Sequence, residues 1–186
     1  MTSFEKRLSR MLQESPAAID YSWILGIDQW STEWDGAIEK IIADNGIKVD
    51  FIKVNSRVPA MFAPGRIYVS EALSGKLKLF TLLHELGHAY RHQTVGEIFN
   101  YFLKKDLNGN PISRNEALKA MMNEEQEATR WANKMIDKYD LKIQKHPTRY
   151  PPEVLEMSLS LIESEGAETV SEVVDLLYNK MITWDG

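Results

Sequence analysis

The sequence predicts an α+β protein with a helical N-terminal part, a small antiparallel β-sheet, two long helices packed on each other and a helical C-terminal extension. Two changes of pattern predict this class. Residues 47–69 alternate and are rich in β-branched residues, whereas apolar residues recur at helical spacing before and after them. We expect one domain over residues 1–186, divided into an N-terminal part (1–46), a core (47–140) and an extension (141–186).

The N-terminal part is predicted to be helical because apolar residues recur every three or four positions, at Phe4, Leu8, Met11 and Leu12. Asn45-Gly46 is a typical helix stop. Three tryptophans of this part have the spacing of a core cluster: Trp23, Trp30 and Trp34.

Three strands are predicted next. Residues 47–55 form the first, and residues 57–69 hold the second, a Pro-Gly turn at 64–65, and the third at Arg66–Val69. We expect these strands to pair in an antiparallel sheet. Two interpretations of Arg66–Val69 remain open, because the strand either pairs with an extended substrate or lies inside the sheet.

Helical spacing returns from Lys76 to His92 and again from Arg114 to Tyr139, and at least one loop lies between these helices. The apolar face of the first helix is predicted to hold Leu79, Leu82, Leu83, Leu86, Ala89 and Tyr90. Residues 153–180 indicate one or two amphipathic helices after a proline-rich linker.

The composition excludes several classes of protein. The chain has no cysteine, so disulfide scaffolds and thiolate metal sites are excluded and a metal ion would need His, Asp or Glu ligands. The N-terminal residues lack the apolar stretch of a signal peptide, and no run approaches the roughly 20 apolar residues of a membrane span. We therefore expect a cytoplasmic protein, or one released into a host cytosol, that does not bind membranes.

A His-Glu-Leu-Gly-His sequence, an HExxH motif, occupies residues 84–88 of the first long helix. On a helical wheel His84 and His88 fall almost opposite the apolar face, one turn apart. Two histidines at i and i+4 can direct ring nitrogens at one ion about 2.0–2.1 Å away. Glu85 lies one step round the helix, where a carboxylate can accept a proton from an attacking water. The motif therefore predicts a Zn²⁺ site with Glu85 as general base.

A catalytic zinc site needs a third protein ligand. His92 is excluded, because it lies about 12 Å along the helix axis from His84. On the second long helix Glu125 falls inside the apolar face and Glu124 falls nearer its edge, and a buried carboxylate is costly unless it is paired. Glu125 is the predicted third ligand, and Glu124 remains the alternative.

From about Gly65 to Met135 the sequence resembles the ImmA/IrrE-type metallopeptidases, a gluzincin-like family. GRIYVSEALSGKLKLFTLLHELGHAYRH is similar to the family's short strand and zinc-motif helix. EQEATRWANKM at 125–135 is similar to its Glu-x-Glu-Ala-x-x-aromatic-Ala signature. The first Glu of that signature falls on Glu125, which the resemblance implies is the third ligand. Thr129 stands where the family usually has Asn or Asp.

The resemblance implies zinc-dependent hydrolysis of peptide bonds in a specific protein substrate. Similar proteins occur on phages and mobile elements, where they cleave or disable helix-turn-helix repressors, so a DNA-binding regulator is the expected partner. The net charge of -5 gives no support for direct nucleic-acid binding by this chain.

Other functions remain open. One alternative is a non-catalytic zinc-containing protein that inactivates a regulator by binding it. Another is a zinc hydrolase that acts on a non-peptide amide. The intact Glu85 favours catalysis, because a structural zinc site has no use for an acid there. Five residues are candidates for the oxyanion stabiliser: Tyr90, Tyr101, His146, Arg149 and Tyr150.

Overall fold

The computed structural model describes residues 43–53, 60–71, 75–145 and 152–183. These residues include three strands and four α-helices, so the predicted α+β class is confirmed. The helical prediction for residues 1–42, with its three tryptophans, lies outside the described residues, and so does the segment 146–150.

The strands β1 (Lys48–Ile52), β2 (Ala60–Ala63) and β3 (Arg66–Ser70) form one sheet in the order β1-β3-β2. β2 and β3 are antiparallel and are joined by a turn in which Gly65 has a φ of 77°, a conformation that glycine adopts at little cost. β1 is parallel to β3, so the prediction of a purely antiparallel sheet is wrong. Alternation predicts a strand but not its direction, since side chains alternate in both kinds of pair.

β3 is the central strand, with β1 on one side and β2 on the other. Both of its edges are therefore occupied by backbone pairing. Of the two interpretations left open for Arg66–Val69, addition of a substrate strand is excluded, and the internal position is correct.

Helices cover both faces of the sheet. On one face Ile67 and Val69 join the main core with the leucines of helix α1 (Gly75–Val95). On the other face Met61 packs with Met181 of the last helix, α4 (Val170–Thr183). Because alternate side chains of the strands point to opposite faces, one set packs against α1 and holds it on β2 and β3.

The apolar face of α1 is buried as predicted, except at its last member. Leu79, Leu82 and Leu83 have no exposed surface, whereas Tyr90 is 50% exposed and stacks on Trp131 with ring centroids 6.1 Å apart. The prediction of a core position for Tyr90 is wrong, because a helical wheel gives the direction of a side chain but not whether a neighbour covers it.

The second long helix, α2 (Arg114–Lys138), packs along α1, and α3 (Pro152–Glu165) packs against α2. A 3-10 helix at Ile98–Leu103, which the sequence pattern did not predict, lies in the connection between α1 and α2. Six residues are too few to establish a helical period. No helix in the described ranges is long and apolar enough to cross a membrane.

Candidate metal centre

Three side chains with metal-binding atoms meet where α1 packs on α2. His84 and His88 come from successive turns of α1, and Glu125 comes from α2. One ligand atom from each residue lies within 4.8 Å of the other two, and the described part of the chain contains no other such group. The structure therefore brings together the three residues that were predicted as metal ligands.

The distances between the three residues fit a small tetrahedral ion. His84 Nε2 lies 3.1 Å from His88 Nε2 and 3.0 Å from Glu125 Oε2, and His88 Nε2 lies 3.5 Å from Glu125 Oε1. Ligands about 2.0–2.1 Å from a tetrahedral zinc ion are about 3.3 Å from each other. Two imidazoles and a carboxylate are also a typical donor set of catalytic zinc, which keeps its fourth position open.

The electrostatics of the group favour a cation between the helices. Burial opposes a charge on His88, but the carboxylate of Glu125, with smaller contributions from Glu85 and Glu124, raises the pKa of His88 to about 9. Burial likewise opposes the charge of Glu125, yet His88 and His84 hold the pKa of that carboxyl well below its usual range. A bound dication would take over from the imidazole protons as the partner of this carboxylate.

Glu85 lies beside this group without belonging to it. Its Oε2 accepts a hydrogen bond of 2.8 Å from the backbone N–H of Phe62 in β2. Burial raises the pKa of Glu85, the two histidines lower it in part, and Glu125 raises it further. The sheet thus holds one carboxylate oxygen of Glu85 through a backbone donor.

The side chain of Glu124 pairs with Arg91 and not with the histidines. This side chain is 6% exposed and that of Glu125 is 18% exposed, so the helical wheel ranked the burial of these residues in the wrong order. Arg91 explains the deep position, since its Nη2 lies 2.6 Å from Glu124 Oε1 and its Nε lies 3.1 Å from Oε2. Both oxygens of Glu124 are therefore occupied by a guanidinium group, and the geometry favours Glu125 as the third ligand.

The remaining candidates lie outside the three-residue group. His92 has its ring 5.5 Å from that of Phe62 and its Nδ1 3.5 Å from Glu97 Oε1, as its distance along α1 requires. Burial raises the pKa of Tyr101, and the Glu124 carboxylate raises it further. An oxyanion role for any tyrosine stays a prediction.

Sequence reasoning missed three contacts at this centre. Thr129 Oγ1 lies 3.2 Å from His84 Nδ1, the Phe62 N–H binds Glu85, and Gly87 lies against the backbone of α2. Only the first had a signal in the sequence, because Thr129 follows Glu125 by one helical turn.

Residues 43–159 match the family model Peptidase_M78, which is described as an IrrE N-terminal-like domain. The match covers more than half of the chain and includes the sheet, α1 and α2. The chain belongs to this family. The resemblance inferred from the sequence is thereby confirmed, and membership of Peptidase_M78 supports a metallopeptidase-type function on a protein substrate. No curated protein and no solved structure matches the chain significantly.

Proposed function

We propose that this Peptidase_M78 protein is a zinc-dependent endopeptidase that hydrolyses peptide bonds in a specific protein substrate. The observation that carries the proposal is a set of three convergent donors with a fourth residue, the acidic Glu85, held beside them by the sheet. A structural zinc site fills all four positions with protein ligands, whereas a catalytic site has three ligands and a neighbouring acid or base.

In this proposal His84, His88 and Glu125 hold Zn²⁺. When bound, zinc would polarise the substrate carbonyl and lower the pKa of a coordinated water toward about 7. The two histidines bind as neutral imidazoles through Nε2, and Glu125 supplies one negative charge.

Glu85 is the proposed general base. It takes the proton of the attacking water and returns it to the amine of the cleaved bond. Burial raises the pKa of Glu85, which makes its carboxylate a stronger base toward the attacking water. Because Glu85 Oε2 accepts the hydrogen bond from the Phe62 N–H, we propose that Oε1 is the oxygen that takes the proton from the water.

The substrate that we propose is a helix-turn-helix repressor or regulator of a phage or mobile element, in the cytoplasm. The support is the resemblance of the two motifs to enzymes that cleave or disable such repressors. The chain would meet this substrate as a protein partner and would not bind nucleic acid itself.

Elemental analysis of protein purified without chelator tests the metal site. We expect about one zinc per wild-type chain, loss of zinc in His88→Ala and Glu125→Gln, and retention in Glu124→Gln. Glu124→Gln is the matched control, because it makes the same chemical change at the neighbouring position. If Glu124→Gln lost zinc and Glu125→Gln retained it, Glu124 would be the third ligand. A wild-type protein without zinc would contradict the proposal.

Glu85→Gln separates catalysis from binding. Wild-type protein and this variant are each added to a bacterial lysate, and new protein N-termini are identified by mass spectrometry. We expect new termini only with the wild type, although both proteins hold zinc, because Gln has no carboxylate to take the proton. Identical new termini in the two samples would contradict the role of Glu85 as general base. No cleavage by either zinc-loaded protein would favour the non-catalytic alternative.

A further inference from the structure

The buried hydroxyl of Thr129 lies against the ring nitrogen of His84 that faces away from the other two proposed ligands. Thr129 is 5% exposed and its Oγ1 is 3.2 Å from His84 Nδ1. The other ring nitrogen, Nε2, is the atom that lies 3.0 Å from Glu125 Oε2. One imidazole thus contacts α2 at two points, one helical turn apart.

The chemistry of a ligating imidazole gives this contact a direction. An imidazole that binds a metal through Nε2 carries its remaining proton on Nδ1, and a buried N–H needs an acceptor. A threonine hydroxyl oxygen can accept that hydrogen bond. The tautomer that metal binding requires therefore makes His84 Nδ1–H the donor and the Thr129 hydroxyl oxygen the acceptor.

We propose that Thr129 is a positioning residue, which accepts a hydrogen bond from His84 Nδ1–H and thereby fixes the tautomer and the ring orientation of this ligand. The inference rests on the proposed zinc site and adds a residue to it. Thr129 does not touch the substrate or the metal in this arrangement, and it acts only through His84.

The neutral hydroxyl also suits the charge already present. Glu85, Glu124 and Glu125 place three carboxylates at this interface, and Arg91 is paired with one of them. A fourth carboxylate at residue 129 would repel these groups when no metal is bound. Threonine supplies an acceptor without adding charge, which is a physical reason to have it here in place of Asp.

The test compares the zinc affinity of Thr129→Ser, Thr129→Ala and Thr129→Val, measured by competition with a chelator. We expect Thr129→Ser to bind zinc within about threefold of the wild type, and Thr129→Ala and Thr129→Val to bind it at least about 10-fold more weakly. The Ser and Ala variants differ only by the hydroxyl, so lost packing cannot explain a difference between them. This pair also decides the question if Thr129→Val does not fold.

A second measurement reports on the hydrogen bond itself. In the zinc-loaded wild type and in Thr129→Ser, the His84 Nδ1–H proton should give a resonance that exchanges slowly with water. In Thr129→Ala that resonance should broaden or disappear, because the proton has lost its acceptor. A structural role of Thr129 alone would not move it.

The outcomes separate this inference from the proposed function. Equal zinc affinity in the Ser and Ala variants, or an unchanged Nδ1–H resonance in Thr129→Ala, would overturn the role of Thr129 while the zinc site stands. A wild-type protein that binds no zinc would overturn both. Weaker zinc binding in Thr129→Ala than in Thr129→Ser would support both.

Discussion

Gly87 of α1 lies directly against the backbone of Ala128 in α2. A Cβ atom at residue 87 would lie 2.6 Å from the Ala128 carbonyl oxygen and 2.8 Å from its Cα. Gly87 stands between His84 and His88, and Ala128 stands between Glu125 and Thr129. The same turns that carry the candidate ligands therefore hold a close backbone contact between the two helices.

Gly87→Ala should lower both stability and zinc affinity. Backbone atoms cannot rotate away as a side chain does, so the helices must separate, at a cost of about 1–3 kcal/mol. In an open helix the same change is favourable by about 1 kcal/mol. Separation also moves Glu125 away from the histidines. Urea unfolding of the metal-free protein and chelator competition for zinc measure the two effects.

Gln93→Ala is the control for this substitution, because Gln93 is exposed on the same helix. It should change the free energy of unfolding by less than about 0.5 kcal/mol and leave zinc affinity unchanged. A stabilised Gly87→Ala variant with normal zinc affinity would contradict the close contact.

The pairing of Arg91 with Glu124 predicts unequal effects of two substitutions. Arg91→Met leaves a carboxylate that is 6% exposed without its partner and should cost on the order of 3 kcal/mol. Glu124→Gln should cost less, since an amide oxygen still accepts a hydrogen bond and the charge left without its partner is that of Arg91, whose side chain is 23% exposed. Chemical denaturation of the metal-free variants measures both free energies of unfolding.

A double-mutant cycle with Arg91→Met and Glu124→Gln tests the coupling directly. We expect the double variant to be clearly more stable than the sum of the two single changes implies, because neither charge is left alone. Additive effects would show that the two side chains do not interact in solution.

The parts of the fold that the sequence predicted are those with a strong local period. The leucines of α1 recur at helical spacing from Leu79 to Leu86, over about two turns. The turn at Gly65 has its own signature. The direction of β1 depends on where the chain re-enters the sheet, which no local pattern records. The 3-10 helix is too short to show a period.

In the candidate site, too, only the features with a local sequence pattern were predictable. His84 and His88 follow from i and i+4 spacing within one helix. The partner of Glu124 lies 33 residues away on another helix, so a single wheel could not rank the burial of Glu124 against that of Glu125. The donor to Glu85 is a backbone N–H of Phe62, and a backbone group has no signature in the sequence.

Ser113 begins α2 with a capping box, and its loss should destabilise the protein. The Ser113 hydroxyl accepts a hydrogen bond of 3.2 Å from Glu116 N, and Glu116 Oε2 accepts one of 2.8 Å from Ser113 N. Ser113→Ala should cost about 1 kcal/mol, and Ser113→Thr should retain most of the stability. Urea unfolding measures both. Equal stability of the Ala and Thr variants would show that the hydroxyl does not cap the helix.

Glu163 joins α3 to the start of α2 and to the end of the 3-10 helix. Its Oε1 lies 3.0 Å from Lys104 Nζ and its Oε2 lies 3.3 Å from Arg114 Nε. The hydrogen bond from Lys104 lowers the pKa of Glu163, burial opposes this, and Arg114 lowers it further. A lowered carboxyl pKa contributes stability above the unfolded-state pKa, and that stability is lost as the pH falls through the folded-state pKa.

Glu163→Gln should therefore lower the thermal midpoint at pH 7, and its difference from the wild type should shrink as the pH falls through the lowered folded-state pKa of Glu163. The cost should be at most about 1 kcal/mol, because Lys104 and Arg114 have side chains that are 45% and 40% exposed. Thermal unfolding from pH 3 to pH 8 measures it. Glu165→Gln, on the same helix, is the control, since Glu165 forms no ion pair among the described residues. A difference that does not change with pH would mean that the charge of Glu163 contributes nothing.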